Sequence, residues 1–313
     1  MKILMFGRGV ISTQYGWAFE KAGHNVTFYI RPESARGYNP EISVKILDAR
    51  QKLAGVMHRE TWTTKVITDI PDQHDYDLII VSVQHYQFAK VADFLSPKIG
   101  KATVLIFNNF WTDPLQETAL FPKEQLAWGF PLAGGGFDAD GVLNGAILPD
   151  VHFGTFGTEP TTREKAVRAL FTKTGFKIKE HSDFRGWLWI HFAVDAGFFS
   201  KVLEVRDVEK VFSSTKHLKD IMLQVRELLQ LVEKRGINLS NNVQDIKMYR
   251  RPAWIGSLMV RFLLKISPPF TTMVYSHNNP EEAISYGRDV LKIARELNFK
   301  LPLLESKCKE FEM

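Results

Sequence analysis

An apolar run at residues 2–6 leads straight into Gly7-Arg8-Gly9, and a second apolar run, 26–30, ends on Arg31. Between them lie the helix formers Trp17, Ala18, Phe19, Glu20 and Lys21, then a turn at Gly23-His24-Asn25. No other feature limits the fold as tightly. Strand, glycine turn, helix and strand at this spacing form the front half of a dinucleotide-binding βαβ unit. Gly7 permits the tight turn, and Gly9 lets the main chain approach a pyrophosphate. The helix that follows aims its free amides and positive dipole end at that group. Ser12 stands at the third glycine position and is small enough for close helix–strand packing. Gly7, Arg8, Gly9, Val10, Ile11 and Ser12 are therefore the candidate phosphate-binding residues. A site for the unphosphorylated dinucleotide carries Asp or Glu at the end of the second strand. Arg31 sits there instead, and a guanidinium matches a 2′-phosphate, so the cofactor reading is NADP(H). The bland alternative is an incidental surface arginine.

Length and composition set the class. A chain of 313 residues, 45% hydrophobic and 24% charged, has room for two ordinary domains. Its single cysteine, Cys308, excludes an internal disulfide and suits a reducing compartment. The start carries no cationic leader, and no apolar stretch reaches the ~20 residues of a transmembrane helix, so a cytoplasmic protein without a membrane span is expected. The formal charge is +5, and residues 246–280 hold Lys247, Arg250, Arg251, Arg261 and Lys265 but no acid. The whole surplus therefore lies in one segment, where 248–266 interleaves cations with large apolar residues. A core helix with snorkelling ends, a patch that attracts an anionic ligand and a membrane-surface helix all fit that pattern. Nothing beyond charge suggests nucleic acid. His181, His191, His217 and His277 show no metal-ligand spacing, so no metal is expected.

Punctuation and period divide the chain. Strands are expected at 2–6, 26–30, 43–47, 64–68, 77–83 and 103–107, with a helix after Ser12 and another near 88–95. This alternation predicts an α/β fold: an amino-terminal Rossmann-type doubly wound sheet. The glycine-rich stretch 126–157 suggests short hairpins added at a sheet edge. After Thr161 the pattern is helical, with candidates at 162–173, 184–205, 217–233 and 281–297. The expected organisation is a nucleotide-binding domain over 1–165 and an all-helical domain for substrate and dimerisation over 166–313. The apolar residues of the second domain fit a homodimer.

Ligands of doubly wound sheets bind beyond the carboxyl ends of the strands. Asn108 and Asn109 follow the strand at 103–107, and Gln84 to Gln87 follow the one at 77–83. An amide pair there suits a nicotinamide ribose and a substrate oxygen, although asparagine also favours turns.

With these motifs the chain resembles the ketopantoate reductase family. The resemblance rests on Gly7-x-Gly9 with Arg31, Ser82-Val-Gln-His-Tyr-Gln87, Asn108, the glycine-rich hairpins, the long helix near Trp187 and the segment 227–237. It implies a two-domain, NADPH-dependent reductase that converts 2-dehydropantoate to pantoate in pantothenate biosynthesis, or acts on a diverged small carbonyl substrate. Arg31, Gln87 and Asn108 match the family pattern. The family's lysine at the strand end is Gln84 here. Its catalytic lysine falls on His191 and a following asparagine on Asp195, when aligned from Trp189. Alignment from Trp187 gives Trp189 and Ala193, which would leave no polar group at either place. The Ser-Met pair of a late substrate-binding helix appears as Thr272-Met273, and the family's acid falls on Ala283 or, shifted by one, Glu282.

Carbonyl reduction needs a proton on the oxygen, and histidine can supply it. Residues four apart share a helix face, so Asp195 is expected beside His191, favouring imidazolium. A buried structural histidine among Trp187, Trp189 and Phe192 is the competing reading. Loss of the family lysine also supports a non-catalytic NADP(H)-binding redox sensor on the same scaffold.

Overall fold

The computed structural model describes residues 1–35, 38–276 and 279–311; His277 lies outside them. They form two compact units. One holds 1–108, 115–182 and the helix Pro268–Tyr275. The other holds 109–114, 183–267 and the helices from Pro280 onward. The division after Ser182 runs past the 165/166 line drawn from the sequence, and the chain passes between units more than once.

The first unit is built on one sheet of β1 (Lys2–Phe6), β2 (Asn25–Tyr29), β3 (Glu41–Asp48), β4 (Val56–Thr63), β5 (Val66–Ile67), β6 (Leu78–Val81), β7 (Thr103–Ile106), β8 (Leu126–Phe137), β9 (Leu143–Gly154) and β10 (Lys177–His181). The strand order is β4-β3-β9-β8-β7-β6-β1-β2-β5, with β10 also paired to β9. Strands β5-β2-β1-β6-β7-β8 are parallel throughout. That is the Rossmann order, and its topological switch point lies between β1 and β6. The doubly wound sheet and the helical carboxyl-terminal part both agree with the sequence reading.

The glycine-rich stretch differs from expectation. It forms one long antiparallel hairpin, β8 with β9, its register shifted between Pro131 and Ala133. This hairpin lies inside the sheet, because β3 covers the outer side of β9 over Leu143–Ile147 and β10 covers it over Asp150–Gly154. An otherwise open edge is thereby paired.

The helix Val10–Lys21 is buried continuously from Ser12 to Phe19. Its close approach to the sheet falls at Gly16, where a Cβ would lie 2.5 Å from Phe28 Cζ. Gln14 donates to the Gly134 carbonyl at 3.1 Å, which ties the helix to the hairpin. Trp17 donates to Glu60 at 2.6 Å and Trp62 to Glu20 at 2.8 Å, which binds β4 to the same helix. Beneath it Tyr15, Phe107, Phe153, Phe171 and Phe176 form an aromatic cluster. Each such buried ring stabilises the fold by ~1.5–3 kcal/mol. The helix Thr162–Lys173 opens with a capping box: Thr161 Oγ1 accepts from Glu164 N at 3.2 Å, and Glu164 Oε2 accepts from Thr161 N at 2.8 Å.

In the second unit the helix Phe184–Val205 starts where Asp183 accepts from Gly186 N, at 2.9 Å, and ends at Arg206 in the left-handed region. It crosses the helix Thr215–Lys234 at Gly197, where a Cβ would meet Val225 at 2.6 Å. The buried Lys201 amine is paired with Glu204 and Asp220, at 2.9 and 3.1 Å. Segment 109–114 is fastened into this unit. Asn109 donates to the Tyr286 hydroxyl at 3.4 Å, Trp189 Nε1 to the Thr112 carbonyl at 3.0 Å, and Arg185 pairs with Asp113 at 3.1 Å. Arg235 lies over the Trp189 ring at 3.4 Å and donates to the Trp111 carbonyl.

The basic segment is not a core helix. It forms two helices, Val243–Arg250 and Ala253–Ile266, interrupted at Arg251-Pro252, where proline disfavours helical backbone before it. In the second of these only Ala253, Gly256, Ser257 and Val260 are buried. Among the described residues no helix is long and apolar enough to cross a membrane.

Candidate active site

One candidate site belongs to the first unit and lies at the carboxyl ends of β1 and β6. Gly7 has φ +88° and donates to the Tyr29 carbonyl at 2.9 Å, which ties the turn between β1 and the helix Val10–Lys21 to the end of β2. Gly9 is the extended N-cap of the helix Val10–Lys21, and no side chain caps that helix. A Cβ added at Gly7 or Gly9 would meet nothing within 4 Å. Open space therefore lies over first-turn amides that intrahelical bonds leave unused, which is the cradle a pyrophosphate requires. Val10, Ile11 and Ser12 contribute main chain there; the Ser12 side chain itself is buried, 1% exposed. Arg8 lies 3.8 Å from the Tyr38 ring centroid and donates to the Asn39 carbonyl at 3.0 Å. Burial lowers its pKa, but a guanidinium remains charged. The Arg31 side chain is 70% exposed, and Glu33 lies 3.6 Å from it. A glycine cradle, an uncapped helix start and two nearby guanidinium groups fit a phosphorylated dinucleotide.

Asn108 is buried, and its side chain is engaged with main chain. Nδ2 donates to the Val83 carbonyl at 2.5 Å, and Oδ1 accepts from Val83 N at 3.5 Å. The residue thus braces the ends of β6 and β7 against each other. Gln84 is half-buried, and its carbonyl accepts from the amide of the exposed Gln87 at 2.9 Å. Thr272 belongs to this unit, on the helix Pro268–Tyr275, beside Met273, which packs on Gly134.

A separate polar cluster belongs to the second unit, on the helices Phe184–Val205 and Pro280–Glu296. His191 Nε2 lies 3.4 Å from Asp195 Oδ2, as the four-residue spacing predicts. Trp187 stacks on the imidazole with centroids 5.2 Å apart, and its Nε1 donates to Asp245 at 3.2 Å. The expectation of a favoured imidazolium is corrected. Burial pushes the His191 pKa down to about 4, only partly opposed by the Asp245 carboxylate, so the ring is neutral at ordinary pH. The Tyr286 hydroxyl is hydrogen-bonded to Asp195 and accepts from Asn109. Burial raises its pKa, and the Asp195 and Glu282 carboxylates add to the shift. Glu282 sits one turn before Tyr286 and takes part in the helix start, its amide donating to Asn279 at 3.3 Å. Asn109 Oδ1 is buried with no hydrogen-bond partner. Among the described residues no three His, Cys, Asp or Glu groups could hold a metal ion.

The structure therefore brings His191 and Asp195 together and sets Glu282 near their partner Tyr286. Tyr286 escaped sequence reasoning, because a tyrosine on an amphipathic helix has no motif of its own. Its neighbours emerge only when two helices distant in sequence are packed.

Residues 3–157 match the family described as ketopantoate reductase PanE/ApbA. Comparison with curated protein sequences finds no match. Among solved structures, a 2-dehydropantoate 2-reductase from Geobacter metallireducens has a TM-score of 0.71 at 15% identity, over 100% of this chain and 99% of its own. A D-mandelate dehydrogenase with NADH and anilino(oxo)acetate has a TM-score of 0.72 at 12% identity, over 99% and 97%. A dimeric ketopantoate reductase from Staphylococcus aureus has a TM-score of 0.66 at 15% identity, also over 99% and 97%. Residues 3–157 thus carry a domain of the ketopantoate reductase family, and the whole chain has the fold of these solved structures.

Proposed function

We propose that the chain is a cytoplasmic, NADPH-dependent reductase of a 2-oxo acid or related carbonyl compound. The observation that carries this reading is the open glycine cradle at the β1/β6 switch point, with exposed Arg31 at the end of β2. The reduced nicotinamide, when bound, supplies hydride to the carbonyl carbon. The protein's task is to place the substrate and deliver one proton to its oxygen. We assign proton delivery to His191, held by Asp195, with Tyr286 steadying that carboxylate. Neutral imidazole is a poor acid, so the ring must first gain a proton. An anionic substrate carboxylate nearby favours the charged ring, which couples proton uptake to substrate binding. Glu282 and Thr272 retain their catalytic and substrate-binding assignments from the family pattern, and Asn108 contributes by setting the rim of β6 and β7.

Consumption of NADPH against a panel of 2-oxo acids, with His191→Ala alongside, tests the assignment. Turnover that survives intact in the variant would remove His191 from the chemistry. Two specific observations favour other readings. The neutral His191 at a position where the family carries lysine fits a redox sensor, which would bind NADPH without turnover across the panel. Glu33, two residues past Arg31 and 67% exposed, is placed to accept from a ribose hydroxyl, and this would favour NADH. The ratio of the two cofactors' KM values separates them.

A further inference from the structure

The helix Ala253–Ile266 turns its large side chains outward. Trp254, Leu258, Met259, Phe262, Leu263 and Ile266 are 37–63% exposed. At 100° per residue they sweep one continuous half of the helix surface. The opposite side holds Gly256, Ser257 and Val260, small enough to lie on Met222 of the helix Thr215–Lys234; a Cβ at Gly256 would come 2.8 Å from Met222 Sδ. Arg261 and Lys265 project along one margin of the apolar face, both exposed, and Arg250 and Arg251 stand just before the helix.

Charge selects the occupant. Residues 246–280 carry five basic groups and no acidic one, equal to the whole formal surplus of the chain. A second copy would bring that cationic margin against its own, without a carboxylate in the segment to compensate. An anionic bilayer complements both halves of the pattern. Its acyl boundary accepts Trp254, Leu258 and Phe262, and its headgroups accept Arg261 and Lys265. We propose that the helix Ala253–Ile266 docks the protein reversibly on the surface of an anionic phospholipid membrane, lying in the interface rather than crossing it.

Sedimentation of the full-length protein with phosphatidylcholine vesicles, and with equal parts phosphatidylcholine and phosphatidylserine, tests this. Binding is expected to the second only, and to weaken as salt rises. Arg261→Glu with Lys265→Glu should lower partitioning by about tenfold or more. Trp254→Ser with Phe262→Ser should abolish it, with the melting temperature unchanged because both residues are exposed. Absence of binding to phosphatidylserine vesicles would overturn the proposal, as would binding indifferent to both variant pairs. A two-chain mass that falls to one chain in the Trp254→Ser, Phe262→Ser protein would assign the face to a second copy instead. None of these readouts depends on reductase activity, so failure here leaves the functional proposal standing, and the reverse.

Discussion

The glycine turn after β1 and the polar cluster on the helix Phe184–Val205 solve their tasks with different materials. At the turn, recognition is written in main chain: a positive φ at Gly7, an extended Gly9 and free amides at the helix start. In the helical cluster it is written in side chains: an imidazole, two carboxylates, a phenol and an amide. Main-chain recognition survives replacement of almost every neighbour, provided the two glycines remain. A side-chain cluster changes its chemistry with each substitution. That contrast explains how a chain 12–15% identical to the solved structures compared above keeps the glycine turn legible while the residues proposed to handle the proton differ from the family pattern.

The largest expected effect comes from removing the pair proposed to deliver the proton. His191→Ala or Asp195→Asn should lower kcat by about 10²–10⁴-fold with NADPH affinity unchanged, measured by steady-state kinetics and calorimetry. Equal loss of NADPH affinity would show that the cluster is structural. At the other region, Gly9→Val should weaken NADPH by roughly a hundredfold, because a branched side chain fills the space where a pyrophosphate must meet the amides. A Cβ there meets nothing within 4 Å in the protein itself, so the melting temperature should hardly move.

Arg31→Ala gives a smaller and more selective effect. NADPH affinity should fall by about 1.5–3 kcal/mol, the worth of a charge-assisted contact to phosphate, while NADH changes little. Parallel loss of both would remove the phosphate assignment. The smallest effect is on stability. Above pH 6.5 the His191 ring is neutral in the folded and unfolded chain alike and contributes no pH dependence. Between pH 6.5 and about 4 only the unfolded chain binds the proton, so stability falls with pH, and below that the loss stops growing. Because 27% of the side chain still meets solvent, water relieves part of the penalty, and the expected loss is about 1–2 kcal/mol. His191→Gln should flatten that part of the denaturation profile relative to the wild type.

The same contrast governs what could be read before the structure. Helices bounded by strong signals were legible to the residue: the Thr161 capping box opens Thr162–Lys173, and the aromatic run marks Phe184–Val205. The glycine turn was legible because few other residues tolerate its backbone. Strand β4 was not, since its alternation of His58, Glu60 and Trp62 with exposed residues lacks an apolar run; its partners are the polar ends of a helix some forty residues away. The placing of the β8–β9 hairpin inside the sheet depends on β3 returning to cover it, a long-range choice invisible in local pattern. The apolar residues of 253–266 have the helical period of a core element, and only tertiary packing on Gly256 and Val260 shows which side faces inward. Ser12 is small enough for close helix–strand packing and is buried, while the tightest approach falls one turn later at Gly16, against a phenylalanine of β2.

We propose that the Gly7–Gly9 turn and Arg31 together hold a phosphorylated dinucleotide. Titration calorimetry of the purified protein with NADPH and NADH tests it most directly. Saturable one-to-one binding of NADPH is expected, tighter than that of NADH by the margin that Arg31→Ala erases. Folded protein that takes up neither coenzyme would contradict it.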